Sequence, residues 1–251
     1  MLKIRPTQIE AFESAEAAYF APRMVQHLKE AFPKHCSLLG EDGIHEVIRY
    51  GIEQGRAYGF TGQSAVNLFI DLTLLLGRFF HADVQMPWAS EILVDESFGD
   101  ELTKAERLHA AAIEYLNTVS GPDNEYIDRA QRRLLDESIF ITTASVEEFT
   151  DETLMRLERI WPEKYNQLGE ENLRLLIQKG ITTARTYNIE SDPDMLMYIG
   201  MMYMLGSGFD RDPLFSWAHQ VLNNREEQDE AASVERLHSE AINYLKQWCP
   251  S

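Results

Sequence analysis

Shifted against itself by 129 residues, the chain matches at 30 of the 105 positions from Phe12 to Leu116, without a gap. Chance matching at ordinary composition gives roughly 6 in 100. Whatever one copy folds into, the other must fold into as well, so the 251 residues divide into two units of roughly 115 residues each. Leu39-Gly40-Glu41 falls on Leu168-Gly169-Glu170, Gly51-Ile52 on Gly180-Ile181, Arg56 on Arg185 and Tyr58 on Tyr187. Leu76-Gly77 falls on Leu205-Gly206, Asp83 on Asp212, and Trp88-Ala89 on Trp217-Ala218. Glu106-Arg107-Leu108-His109 falls on Glu235-Arg236-Leu237-His238.

Each copy reads as five to six helices, and no run alternates with period two long enough to be a strand. In copy one, helices are expected over Thr7 to Tyr19, Pro22 to Phe32, Glu41 to Tyr58, Gln63 to Phe79, Pro87 to Leu93 and Glu101 to Val119. Gly59 sits where a left-handed C-cap belongs, and Gly121-Pro122 ends the last helix. Copy two repeats the order with Val146 to Ile160, Glu170 to Tyr187, Pro193 to Leu205, Pro213 to Leu222 and Gln228 to Trp248. A charged connecting helix is expected over Asn124 to Ile139. The fold class is therefore all-α: unit 1 over 1–121, a connector over 122–140 and unit 2 over 141–251, two units that can pack as one globule.

Charge narrows the partners. Lys and Arg number 23 against 41 Asp and Glu, a formal net charge of −18. The first 120 residues carry 10 basic and 17 acidic side chains and the remainder 13 and 24, so the acidity is not a tail. Such a surface repels phosphate backbones and anionic lipids, so neither nucleic acid nor membrane is expected as a partner. It suits a basic protein, and it also simply aids solubility. The first residues show no apolar segment of a secretory signal, and the longest apolar runs are interrupted by Asp71, Gly77 and Gly200. Cys36 and Cys249 stand far apart without metal-ligand spacing. A cytoplasmic protein without a disulfide framework is expected.

The sharpest chemical pattern is ExxH, present as Glu106 to His109 and as Glu235 to His238. Residues three apart share a helix face, and paired ExxH motifs hold metal in di-iron bundles, which also need one glutamate from each of two further helices. Those carboxylates are hard to find: Asp71 is matched by Gly200, and Asp83 and Asp212 correspond but lie in loops. His109 with Ala112, Ile113 and Leu116 reads more simply as a buried face, so neither metal nor any other cofactor is expected. Asp83 and Asp212 stand within reach of Trp88 and Trp217, whose indole N–H groups seek acceptors. Each pair makes either a helix corner or one of two related binding pockets. Arg56 with Tyr58, and Arg185 with Tyr187, sit at helix ends, where the arginine offsets the dipole and can pair with a carboxylate such as Glu41, or form an anion site. Met195, Met197, Met201, Met202 and Met204 crowd one helix, as core or as an adaptable surface. No GxSxG, phosphate-binding loop, GxGxxG or HExxH pattern occurs.

The run Ile48 to Leu93, with Gly51-Ile52, Arg56, Tyr58-Gly59, Ile70-Asp71, Leu76-Gly77, Phe80, Asp83, Pro87-Trp88-Ala89 and Ile92-Leu93, resembles uncharacterised helical proteins encoded in bacterial type VI secretion and toxin gene clusters. This chain carries the pattern twice. Copy two departs from it at Asn188, Gly200 and Ser216, which stand for Gly59, Asp71 and Pro87. The resemblance implies a partner that is a toxin or a secretion-spike component. Three functions follow as expectations: a non-catalytic adaptor or chaperone, an immunity protein that blocks a toxin, and an ExxH metal enzyme. The first is favoured because no catalytic set is present; fold alone does not decide.

Overall fold

The computed structural model describes residues 20–136, 148–223 and 230–248, and among these it contains α-helices and short 3-10 turns but no strand. The first half holds α1 (20–31), α2 (Pro33–Ala57), α3 (Gln63–Leu76), α4 (Pro87–Val94) and α5 (Glu101–Ser120). Then α6 (Glu125–Leu134) leads toward α7 (Phe149–Ile160), α8 (Pro162–Thr186), α9 (Asp192–Leu205), α10 (Ser216–Leu222) and α11 (Glu230–Trp248). Both ends of α2, and both ends of α3, recur 129 residues on at α8 and α9, as does the 3-10 turn Phe80–Ala82 at Phe209–Arg211. The backbone agrees in detail. Gly40 (φ 67°, ψ 178°) is matched by Gly169 (φ 73°, ψ 160°), and Asp83 (φ −82°, ψ 128°) by Asp212 (φ −83°, ψ 127°).

Several boundaries differ from those expected. α2 and α8 begin at Pro33 and Pro162, eight residues before Glu41 and Glu170, and each bends at its glycine instead of starting after it. Proline's fixed φ suits the first helical turn, and a glycine with no Cβ takes the left-handed conformation that redirects the helix. α3 stops at Leu76, where Gly77 turns to φ 93°, three residues short of Phe79. The connector begins with a 3-10 turn, Pro122–Asn124, and α6 ends at Leu134. Pro213 opens another 3-10 turn, Pro213–Phe215, and α10 starts only after it. The expected helix Thr7 to Tyr19, the end of the connector, the starts at Val146 and Gln228, and Cys249 lie outside the described residues.

The core is built on α3 and α9. Phe69, Ile70 and Leu72 are fully buried, and on α9 every residue from Met195 to Tyr203 is buried. A helix apolar on all sides belongs in an interior, which makes Met195, Met197, Met201 and Met202 core residues, with Met204 packed against the same cluster. One apolar cluster runs through both halves, from Met24 and Leu28 through Leu157 to Leu245. α5 and α8 pack on each other, and α6 touches both α5 and α7. At that seam Trp161 Nε1 donates to the Val119 carbonyl at 2.8 Å, tying the end of α5 to the α7–α8 corner.

Candidate functional site

The chain crosses itself just after α3 and α9, and there the two aspartates exchange partners. Asp83 Oδ2 accepts from Ser207 N at 2.7 Å, and Asp212 Oδ2 accepts from Arg78 N at 2.6 Å. Ser207 is the counterpart of Arg78, so each half lends a carboxylate to the same backbone position of the other. The second oxygens are used locally: Asp83 Oδ1 accepts from Gln85 N at 2.9 Å and Asp212 Oδ1 from Leu214 N at 3.0 Å. Both side chains are buried, and burial pushes the Asp212 carboxyl up to about 6, against the two backbone N–H groups that favour its charge.

The expected partnership of these aspartates with tryptophan does not form. Trp88 packs on Tyr115 and Trp217 on Tyr244, with ring centroids 5.9 and 6.0 Å apart. Neither indole N–H meets an acceptor among the described residues. The arginine–tyrosine pairs also separate. Arg56 and Arg185 are exposed, while Tyr58 O–H bonds His81 Nδ1 at 3.0 Å and Tyr187 O–H donates to Asp210 Oδ2 at 2.8 Å. Glu41, expected to meet Arg56, pairs with Lys29 at 2.5 Å.

In the ExxH motifs, Glu106 and Glu235 are exposed and His109 and His238 half-buried. Among the described residues no group of three His, Cys, Asp or Glu side chains gathers to hold a metal ion. The buried residues of α5 are Ala105, Leu108, Ala111, Ala112, Tyr115 and Val119 rather than the expected set with Ile113, which is 40% exposed. His109 instead lies near Asp71, whose carboxylate binds His27 Nε2 at 2.9 and 3.0 Å.

What sequence reasoning missed is a cavity of about 530 Å³ between the halves. Its wall takes the ends of α3 and α5, part of α6, the start of α8 and the end of α9. Corresponding residues face it from both sides, among them Tyr115 with Tyr244 and Met86 with Phe215. His35 and Lys164 also occupy corresponding positions on the wall. Lys164 is buried, its Nζ donates to the Tyr203 carbonyl at 2.6 Å, and the ammonium lies 4.8 and 5.0 Å from the Trp161 and Tyr203 ring centroids. Burial draws its pKa down to about 8. One signal was available: a lysine in the first turn opposes the helix dipole, and it shares a stripe with Trp161 and Leu168, both buried. It is absent from the matched positions of the repeat because position 35 is histidine.

No helix among the described residues is long and apolar enough to cross a membrane. No family model, curated protein or solved structure matches the chain.

Proposed function

We propose that the chain is a non-catalytic adaptor or chaperone for a secreted bacterial toxin, working in the cytoplasm and built as two tandem copies of one helical unit fused into a single body. The observation that carries this reading is the exchange between Asp83 and Asp212. They are the buried carboxylates that the two copies share, the first groups a catalytic or metal centre would draw on. Both are engaged by backbone N–H groups of the opposite half. The duplicated polar chemistry thus serves docking of the halves, and the surface is left to recognise a partner.

That surface favours a basic one. Between Glu91 and Thr103 there is no basic residue, and Val94 and Leu102 are 70% and 40% exposed beside Glu91, Asp95, Glu96 and Asp100. Hydrogen bonds from Ser97 and Thr103 hold the Asp95 and Asp100 carboxyls below their usual range, so both are charged at neutral pH. The nearest lysine, Lys104, is turned inward to the Leu93 carbonyl at 3.1 Å. Exposed apolar side chains interspersed along the chain with carboxylates suit a segment that is both basic and apolar.

The test is capture of the partner from the native host, followed by toxin turnover with and without an equimolar amount of this protein. A bound toxin whose turnover is unchanged, with association that slows as salt rises, is the expected result. Complete inhibition with rescue of toxin-expressing cells moves the function to immunity. About two metal ions per chain, lost on His109→Ala and His238→Ala, would make it an enzyme.

A further inference from the structure

On the wall of the cavity between the halves, the Lys164 ammonium meets no counter-ion among the described residues. An ammonium has three N–H donors, and the bond to the Tyr203 carbonyl uses one. Among the described residues no carboxylate pairs with Lys164; the charge that reaches it is that of Asp83, whose oxygens are held by Ser207 N and Gln85 N. The faces of Trp161 and Tyr203 soften the cost of the charge without completing its hydrogen bonds. A buried ammonium in this condition is expensive unless it is paired or neutral. Gln85 adds to the imbalance: its side chain is buried on the same wall, its Nε2 donates to the Met202 carbonyl at 2.9 Å, and its Oε1 meets no donor among the described residues.

The rest of the wall says what kind of molecule would supply the missing acceptor. Leu74, Leu76, Met86, Met204, Leu205 and Phe215 line it, so the body of the ligand is apolar. No arginine among the described residues lines it, and burial lowers the pKa of His35, the other base, so Lys164 is the cation of the wall; Asp128 on α6 is its carboxylate, and among the described residues no ion pair joins the two. That balance suits a carboxylate better than a phosphate dianion. The volume falls within the range of small-molecule sites, about 300–1,000 Å³. Asn117 and Asn124 stand on the wall and are exposed, which gives the cavity an opening at the α5–α6 turn.

We propose that this cavity binds a medium-chain carboxylic acid, with the carboxylate on the Lys164 ammonium and the alkyl chain along the leucines and methionines of the wall. The site is single even though the halves correspond, because position 35 carries a histidine where position 164 carries the lysine. The proposal goes beyond the adaptor reading and does not depend on it.

Calorimetric titration of the full chain with decanoate, decanol and acetate tests it. Decanoate should bind saturably; decanol, with the same body and no charge, should bind about 10- to 150-fold more weakly, the worth of a charge-assisted hydrogen bond. Acetate, with the charge and no body, should show no saturation. Lys164→Met should bring decanoate down to the level of decanol, with decanol itself unaffected. A second measurement keeps the wild-type protein and raises the pH from 7 to 9.5. The other titratable groups on the wall are His35 on α2, Tyr115 on α5, Asp128 on α6 and Tyr244 on α11. Burial lowers His35 and raises Tyr115, so neither titrates in this window. Lys164 does, and decanoate affinity should fall about tenfold or more as it loses its proton, while decanol affinity stays constant. Equal binding of decanoate and decanol, affinity unchanged across that pH range, unchanged binding by Lys164→Met, or no decanoate binding at all overturns the proposal.

Discussion

At Asp212 two effects oppose each other in one side chain. Burial resists its charge, the N–H groups of Arg78 and Leu214 invite it, and burial prevails, leaving the carboxyl at about 6 against 3.8 for the free group. A folded-state pKa above the unfolded one means that the native protein binds the extra proton between these values. Stability from this group is complete below about pH 4 and is lost as the pH rises through about 6. The loss amounts to about 3 kcal/mol, from a shift of about two units in a buried group. Asp212→Asn gives up one acceptor and so carries a constant penalty, but it does not titrate. Urea unfolding at pH 4, 5, 6 and 7 should show wild type losing about 2 kcal/mol of this relative to the variant; a constant difference would refute the account. That Asp83 and Asp212 belong together is legible in the sequence, since they fall on each other. Their partners are not, because the exchanged bonds join residues 124 and 134 apart, and no local pattern records a contact across the halves. Tryptophan is the better donor only by nearness in sequence.

Close approach of helices depends on two corresponding glycines. A Cβ on Gly51 would come 2.6 Å from Ile70 Cγ1, and one on Gly180 would come 2.5 Å from Ile199 Cγ1. α2 therefore lies on α3, and α8 on α9, closer than any other residue permits. Alanine in mid-helix gains about 1 kcal/mol of propensity over glycine, whereas overpacking a core contact costs typically 1–3 kcal/mol. Overpacking wins here because Ile70 and Ile199 are themselves fully buried and have nowhere to move. Gly51→Ala and Gly180→Ala should each lower stability, by up to about 2 kcal/mol in urea unfolding, and a stabilised variant would show that the helices can separate freely. Both glycines are visible in the sequence as matched pairs, as are Gly40 and Gly169. The bend at the latter pair is not, since a glycine after a leucine stops a helix as readily as it redirects one. The deciding residues are Pro33 and Pro162, seven positions earlier, which start the helix that the glycine then turns. Periodicity reveals α3, α5 and α9 because each buries a stripe or its whole surface, but it misplaces the face of α5, where Tyr115 and not Ile113 points inward.

The two halves of the chain can behave as two domains or as one, and their packing bears on which. Separate domains would each close a core and unfold at their own midpoints. Here one apolar cluster passes through both halves, with Val119 bonded to Trp161 and the ends of α3 and α9 lined against each other at the crossing. The reciprocal bonds of Asp83 and Asp212 make neither half complete in its own polar satisfaction. If Asp83 is lost, Ser207 N and Gln85 N are left without acceptors, one in each half; if Asp212 is lost, Arg78 N and Leu214 N are left in the same way. An unsatisfied buried N–H costs about 1–3 kcal/mol, so either substitution injures both halves at once. The molecule should therefore unfold in a single transition, with far-ultraviolet circular dichroism and tryptophan fluorescence coincident in urea. Asp83→Ala and Asp212→Ala should each lower the stability read from that transition by about 2–4 kcal/mol without splitting it. The double variant should lose less than the sum, because the first substitution already loosens the crossing that the second would have weakened. Hydrogen exchange locates the effect: the Ser207 amide should lose protection in Asp83→Ala, and the Arg78 amide in Asp212→Ala. Two separated transitions in the wild type, or a substitution that lowers only the half it belongs to, would show that the units fold independently and that the exchange is incidental to their union.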